Sequence, residues 1–135
     1  MKNIGIGIDI IIQRNNKILL GKVSEKWSIK GEWGLPGGDI LFNEKFKETV
    51  ERNMKNEIGL KLLNYKIVSI NNNFWLGNHY INIGISAETE GEPKVLNKED
   101  WVEWKWFDKS KLPDKLCPPA KLTLKCFIEN KISVS

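Results

Sequence analysis

Between Gly37 and Leu60 the chain sets a glycine turn, carboxylates at Glu44 and Glu57, a guanidinium at Arg52 and an amide at Asn53 at short intervals. Gly37 and Gly38 follow Pro36, so the backbone bends where no side chain stands between it and a ligand. The Gly38 carbonyl and the Glu57 carboxylate are both hard oxygen ligands. Such groups hold Mg²⁺ while leaving the remaining octahedral positions to water and substrate phosphates. The other use of Glu57 is a partly exposed ion pair with Arg52 or a lysine, and composition alone favours that.

These residues need a helix to position them. Asn43 is an N-cap residue type, Glu44 would complement the dipole in the first turn, and Gly59 would supply the left-handed stop. No glycine or proline lies between Glu44 and Glu57. At about 100° per residue Phe46, Val50 and Met54 fall on one flank, which predicts packing on a sheet. Asn53 and Glu57 lie within the same inward stripe. An inward carboxylate costs several kcal/mol unless it meets a cation, donors or a wet cleft.

The stretch resembles the signature of the MutT/Nudix hydrolase family, G-x5-E-x7-R-E-U-x-E-E-x-G-U with U apolar. Gly38, Glu44, Arg52, Met54, Glu57, Gly59 and Leu60 match, while Asn53 and Asn56 stand at glutamate positions. The resemblance implies an αβα sandwich with a mixed sheet, within the α/β (α+β) class. It also implies a divalent-metal-dependent hydrolase, using Mg²⁺ or Mn²⁺, of a nucleoside diphosphate linked to another group. By the same likeness Gly38 and Glu57 are metal ligands, and Glu44 and Arg52 hold the loop and orient the acids. Homodimers are frequent in the family, and by that analogy alone a homodimer is one open state of the chain.

An amide at 53 can still ligate a metal or orient a water, but it carries no charge and accepts no proton at neutral pH. Losing a general base there would cost about 10²–10⁴ in rate. Glu103, expected in the approach to Trp106, is the candidate replacement as ligand or base; its other reading is a strand residue facing solvent. Glu99 and Asp100 read as solvated loop charges. GDP-mannose mannosyl hydrolases also lack glutamates in this part of the signature and use a histidine, so the lone His79 keeps a nucleotide-sugar glycosyl hydrolase open. A third reading is a catalytically silent nucleotide-binding module. Trp27 and Trp75 are expected in loops where a base could stack, and His79 is a further substrate-contacting candidate; core packing is the competing fate of the tryptophans.

The remaining sequence supplies the scaffold. A chain of 135 residues, 28% charged and 41% hydrophobic, suits one soluble domain spanning 1–135. The net charge of +4 suits a polyanionic small molecule, and no Lys/Arg stripe points to nucleic acid. Cys117 and Cys126 read as reduced packing residues of a cytoplasmic protein, and no stretch reads as a signal peptide or membrane span.

Ile4, Ile6, Ile8, Ile10 and Ile12 share one parity, which predicts a strand with one buried face, interrupted by Asp9. A turn at Arg14–Lys17 leads to a strand over Ile18–Val23. Further strands are expected at Tyr65–Ile70, His79–Ala87 and Val102–Phe107, with Asn71, Asn72 and Asn73 ending the first of these. Pro118 and Pro119 open a last helix reaching about Asn130.

Overall fold

The first strand carries apolar side chains of both parities, and both of its faces are covered. In the computed structural model, which describes residues 2–134, β1 (Gly5–Arg14) runs through the centre of a mixed sheet. Ile8, Ile10 and Ile12 pack on one side and Ile11 on the other, all buried. The single buried face expected from parity is therefore corrected to two. Ile4 and Ile6, which share that parity, lie beyond the covered region and remain half exposed.

Asn15 and Asn16 both adopt positive φ, the geometry of a tight hairpin turn, and return the chain as β2 (Lys17–Val23). After a polar loop come two short strands, β3 (Trp33–Gly34) and β4 (Gly37–Asp39). Helix α1 (Phe46–Glu57) follows, then β5 (Lys61–Trp75), β6 (Asn78–Glu90), β7 (Trp101–Asp108) and α2 (Pro118–Glu129). The strand order is β3-β2-β1-β6-β5, with β4 added antiparallel on β1 and β7 antiparallel on β2. The β1–β6 pairing is parallel, so the sheet is mixed. Val50, Met54 and Ile58 cover one face; Ala120 and Leu124 of α2 cover the other. This is the expected α+β arrangement. Among the described residues no helix is long and apolar enough to cross a membrane.

Several local expectations change. Helix α1 starts at Phe46 with Lys45 at the cap, because Asn43 is left-handed (φ 66°) and Glu44 closes a turn instead. Glu48 accepts the Lys45 N–H at 3.0 Å. Phe46 is 37% exposed, since the sheet lies under Val50 and Met54 one turn later. Asn71, Asn72 and Asn73 do not end β5; they pair with Asn82, Ile81 and Tyr80 of β6, and only Leu76 and Gly77 turn the chain. Helix α2 ends as expected, with Asn130 in the left-handed conformation.

The glycine turn is fastened to β1. Gly37 has φ 151°, and a Cβ there would lie 2.0 Å from the Ile8 carbonyl oxygen. Only glycine lets β4 approach β1 this closely. Gly37→Ala should therefore lower stability by about 1–3 kcal/mol, read from urea unfolding midpoints; a parental midpoint would show that the strand pair tolerates a side chain.

Candidate functional site

Arg52 ties the turn to the helix. Its Nε donates to Glu44 Oε2 at 2.7 Å and one terminal nitrogen to Glu44 Oε1 at 3.0 Å, a bidentate pair. The same terminal nitrogen donates to the Asp39 carbonyl at 2.8 Å. Glu44 also accepts from Thr49 Oγ1 at 2.7 Å and from the Leu41 N–H at 3.1 Å. The Arg52 hydrogen bond comes first among the causes that hold the Glu44 carboxyl down to about 2. Glu44 and Arg52 thus organise the loop between β4 and α1.

Asn53 braces the turn from below. It is 4% exposed, its amide donates to the Thr49 carbonyl at 2.8 Å, and a Cβ on Gly38 would lie 3.0 Å from its Oδ1. The structure therefore gives its amide a packing task beside the Gly38 backbone, and Asn53 does not line the adjoining cleft. Asn56 is exposed.

Glu57, at the C-terminal end of α1, is half-buried. Loop 92–97 crosses this end and satisfies its free carbonyls: Lys94 N–H donates to Ile58 O at 2.8 Å and Leu96 N–H to Glu57 O at 3.4 Å. That crossing delivers Asn97. Its amide donates to Glu57 Oε2 at 3.3 Å and to Asp100 Oδ2 at 2.9 Å, so one side chain bridges two carboxylates. Each acid receives one indole N–H as well, Trp101 to Glu57 Oε2 at 2.7 Å and Trp27 to Asp100 Oδ1 at 2.6 Å. Ser24 locks the segment, donating from Oγ to Glu99 O at 2.6 Å and from its N–H to Asp100 O at 2.8 Å.

Desolvation raises the Glu57 pKa and the neighbouring Asp100 charge raises it further, against the lowering effect of the Trp101 and Asn97 donors. Among the described residues neither acid makes a salt bridge with a lysine or arginine. Among the described residues no three or more His, Cys, Asp or Glu side chains cluster as a closed metal cage. Two adjacent carboxylates without a protein cation, beside the Gly38 backbone, nevertheless match a hard divalent ion that completes its shell with water and phosphate.

Both acids and Gly38 line a cleft of about 320 Å³ between the sheet and the start of α2. Trp27, Trp75 and Trp101 form aromatic walls of this cleft; Trp27 lies in a loop as expected, whereas Trp75 is the last residue of β5 and not a loop residue. Cys117 lines it too, and burial pushes its thiol up to about 12, which leaves it unreactive.

Two candidate residues fall elsewhere. Glu103 sits within β7, pairs in register with Lys22 and faces solvent. A register shift opposite Lys22 and Val23 separates its direction from that of Trp101, and Asp100, not Glu103, is the acid that Asn97 joins to Glu57. His79 lies on the opposite face from Tyr80 and Asn82, stacked on Phe74 at 4.5 Å and hydrogen-bonded to Asn72. It is a hydrogen-bonded residue of that other sheet face and does not line the cleft.

Sequence reading missed Asp9 as a cleft residue. It is 8% exposed, and its Oδ2 accepts from Thr123 Oγ1 of α2 at 2.9 Å. The signal was a lone carboxylate within an isoleucine-rich strand. Desolvation raises its pKa to about 6, only partly offset by Thr123.

Likeness to known proteins shows the class to which the chain belongs. The NUDIX domain family model matches residues 3–128. The chain belongs to the Nudix family and is a Nudix hydrolase. An 8-oxo-dGTP diphosphatase of Buchnera aphidicola subsp. Schizaphis graminum (strain Sg) is 29% identical over 107 residues, covering 79% of this chain and 78% of the relative. The crystal structure of a MutT NUDIX hydrolase from Burkholderia pseudomallei superposes with a TM-score of 0.83 at 26% identity, covering 92% of this chain and 98% of that one. The MutT protein of Methanosarcina mazei Go1 shares the fold, with a TM-score of 0.79 at 23% identity over 96% and 94% of the two chains.

Because the folded Asp9 carboxyl titrates near 6 rather than 3.8, its neutral form is favoured in the fold by on the order of 3 kcal/mol. That contribution is complete below pH 3.8 and is lost as pH rises through about 6. Asp9→Asn, which does not titrate, should therefore gain stability relative to the parent from pH 4 to pH 7. Urea unfolding across this range checks it; a constant difference would show that Asp9 titrates alike folded and unfolded.

Proposed function

We propose that this Nudix hydrolase is a divalent-metal-dependent pyrophosphohydrolase of nucleoside triphosphates or nucleoside diphosphate derivatives. The observation that carries the reading is the Glu57–Asp100 pair, bridged by Asn97, with no salt bridge to a lysine or arginine among the described residues and lining the same cleft as the Gly38 turn. Glu57, Asp100 and the Gly38 carbonyl are the groups that would hold Mg²⁺ or Mn²⁺. Such an ion, when bound, neutralises charge developing on phosphoryl oxygens and lowers the pKa of a bound water.

The protein's own residues do the remaining work. Trp101 and Asn97 both donate to Glu57 Oε2, which fixes the carboxylate plane and leaves Oε1 without a protein donor among the described residues. That open Oε1 is the atom suited to take a proton from attacking water. The tryptophan walls suit a planar base and help exclude solvent. The Buchnera relative's name makes 8-oxo-dGTP the narrower substrate to try first. A glycosyl hydrolase relying on His79 finds less support, since that side chain lies on the other sheet face.

Turnover of nucleoside triphosphates, 8-oxo-dGTP, ADP-ribose and GDP-sugars should be measured with Mg²⁺ and with Mn²⁺. Glu57→Gln should lower kcat by about 10²–10⁴ while its thermal melt stays parental. In isotopically labelled water the label should enter a phosphate product, as attack on phosphorus requires. Parental turnover in Glu57→Gln would remove the site assignment, and label in a sugar would replace the reaction by glycosyl hydrolysis. A parent inactive on every substrate would support the silent binding module.

A further inference from the structure

The interface between the sheet and α2 is unusually polar for a buried surface. Asp9, Ser69, Asn71, Asn73, Asn82 and Thr123 are each at most 8% exposed. Much of this chemistry is internally satisfied. Asn71 meets Cys126, Ser133 and the Val134 N–H, while Thr123 donates to Asp9. Three of these residues, Asp9, Asn73 and Asn82, also line the cleft.

The strand register sets those three in a row. Asp9 is level with Gly84 of β6, two residues and so one same-face step from the Gly7–Asn82 level, and Asn71 lies across from Asn82 on β5. Asn73 stands one step further along β5 and donates from Nδ2 to Asn82 Oδ1. Asp9, Asn82 and Asn73 therefore cross three adjacent strands diagonally, forming a polar floor under tryptophan walls.

Acceptors on this floor lack partners. Among the described residues Asn73 Oδ1 is buried without a hydrogen-bond partner. Among the described residues Thr123 is the one side-chain donor within hydrogen-bond distance of the Asp9 carboxylate. A carboxylate has room for about four hydrogen bonds, so most of its capacity is open. Leaving buried acceptors unfilled is costly, and such sites reject ligands that fail to supply donors.

We propose that Asp9, positioned by Thr123 and flanked by the free Asn73 amide oxygen, is the specificity-determining residue of the cleft, selecting bases that present adjacent ring N–H and amino donors. Guanine-type bases offer that pair, and the two parallel N–H groups match the two oxygens of a carboxylate. Adenine-type bases place a ring lone pair against the carboxylate instead. Asn73 and Asn82 fill the rest of the floor, and the tryptophans cover the base faces. This inference rests on the reading of the cleft as a nucleotide site. It assigns Asp9 to recognition, apart from the acid pair at Glu57 and Asp100.

The test separates base reading from hydrolysis. Binding of GMP, IMP and AMP without metal is followed by quenching of tryptophan fluorescence, since Trp27, Trp75 and Trp101 line the cleft. The parent should bind GMP about ten- to a hundredfold more tightly than AMP, with IMP between them because it lacks the amino donor. In Asp9→Asn, which preserves shape and a Thr123 acceptor, that ratio should fall towards one. Asn73→Ala should reduce it less, and circular dichroism melts verify that both variants fold. A parental ratio in folded Asp9→Asn overturns the proposal, as does a parent that binds all three equally or none. Triphosphate turnover is assayed separately: preserved turnover with no base preference sinks Asp9's role alone, whereas base-selective binding without turnover sinks the hydrolytic reading alone.

Discussion

A half-buried carboxylate at the end of a helix must be stabilised or it protonates, and the arrangement around Glu57 follows from that requirement. Trp101 and Asn97 reach it from the segment that enters β7, and Asn97 shares its amide with Asp100. Two donors do not fully offset burial next to a second negative charge, so the pKa remains raised. The site is left with negative charge that no protein cation among the described residues neutralises. That deficit suits an ion and a phosphate chain better than it suits a structural salt bridge.

Keeping Glu57 opposite the glycine turn takes three fastenings. Gly37 lets β4 lie against β1, Arg52 ties Glu44 and the Asp39 carbonyl to α1, and Asn53 fills the space beneath Gly38. The amide at 53 is chemically consistent with this: it donates to the preceding helical turn and meets the turn without burying another charge. Catalytic duty that a glutamate might carry there falls to Asp100 in this reading. Two helices on opposite sheet faces then divide the labour, α1 supplying the acid and α2 closing the cleft over Asp9 through Thr123.

The signature helix was legible in the sequence because helical spacing and a glycine stop are local properties, although its cap falls at Lys45 and not at Asn43. Glu44, Arg52 and Glu57 accordingly appear at the turn and cleft. The partner of Glu57 was not legible. Choosing between Asp100 and Glu103 depends on a register shift between β2 and β7, which no local pattern reveals. Asn71 and Asn73 carry turn-forming composition, yet long-range pairing with β6 draws them into a strand and their side chains into a polar interface. His79 sits near the cleft in sequence terms, but strand alternation places it on the other face. Asp9 could have been read as important from its cost in a buried strand; its Thr123 partner lies 114 residues away.

The central claim is that Glu57 and Asp100 jointly gather a divalent cation, and Mn²⁺ binding followed by electron paramagnetic resonance tests it most directly. The account predicts one site in the parent, strengthened by a non-hydrolysable nucleoside triphosphate and weakened about ten- to a hundredfold by either Glu57→Gln or Asp100→Asn. Parental Mn²⁺ affinity in both folded variants would contradict it.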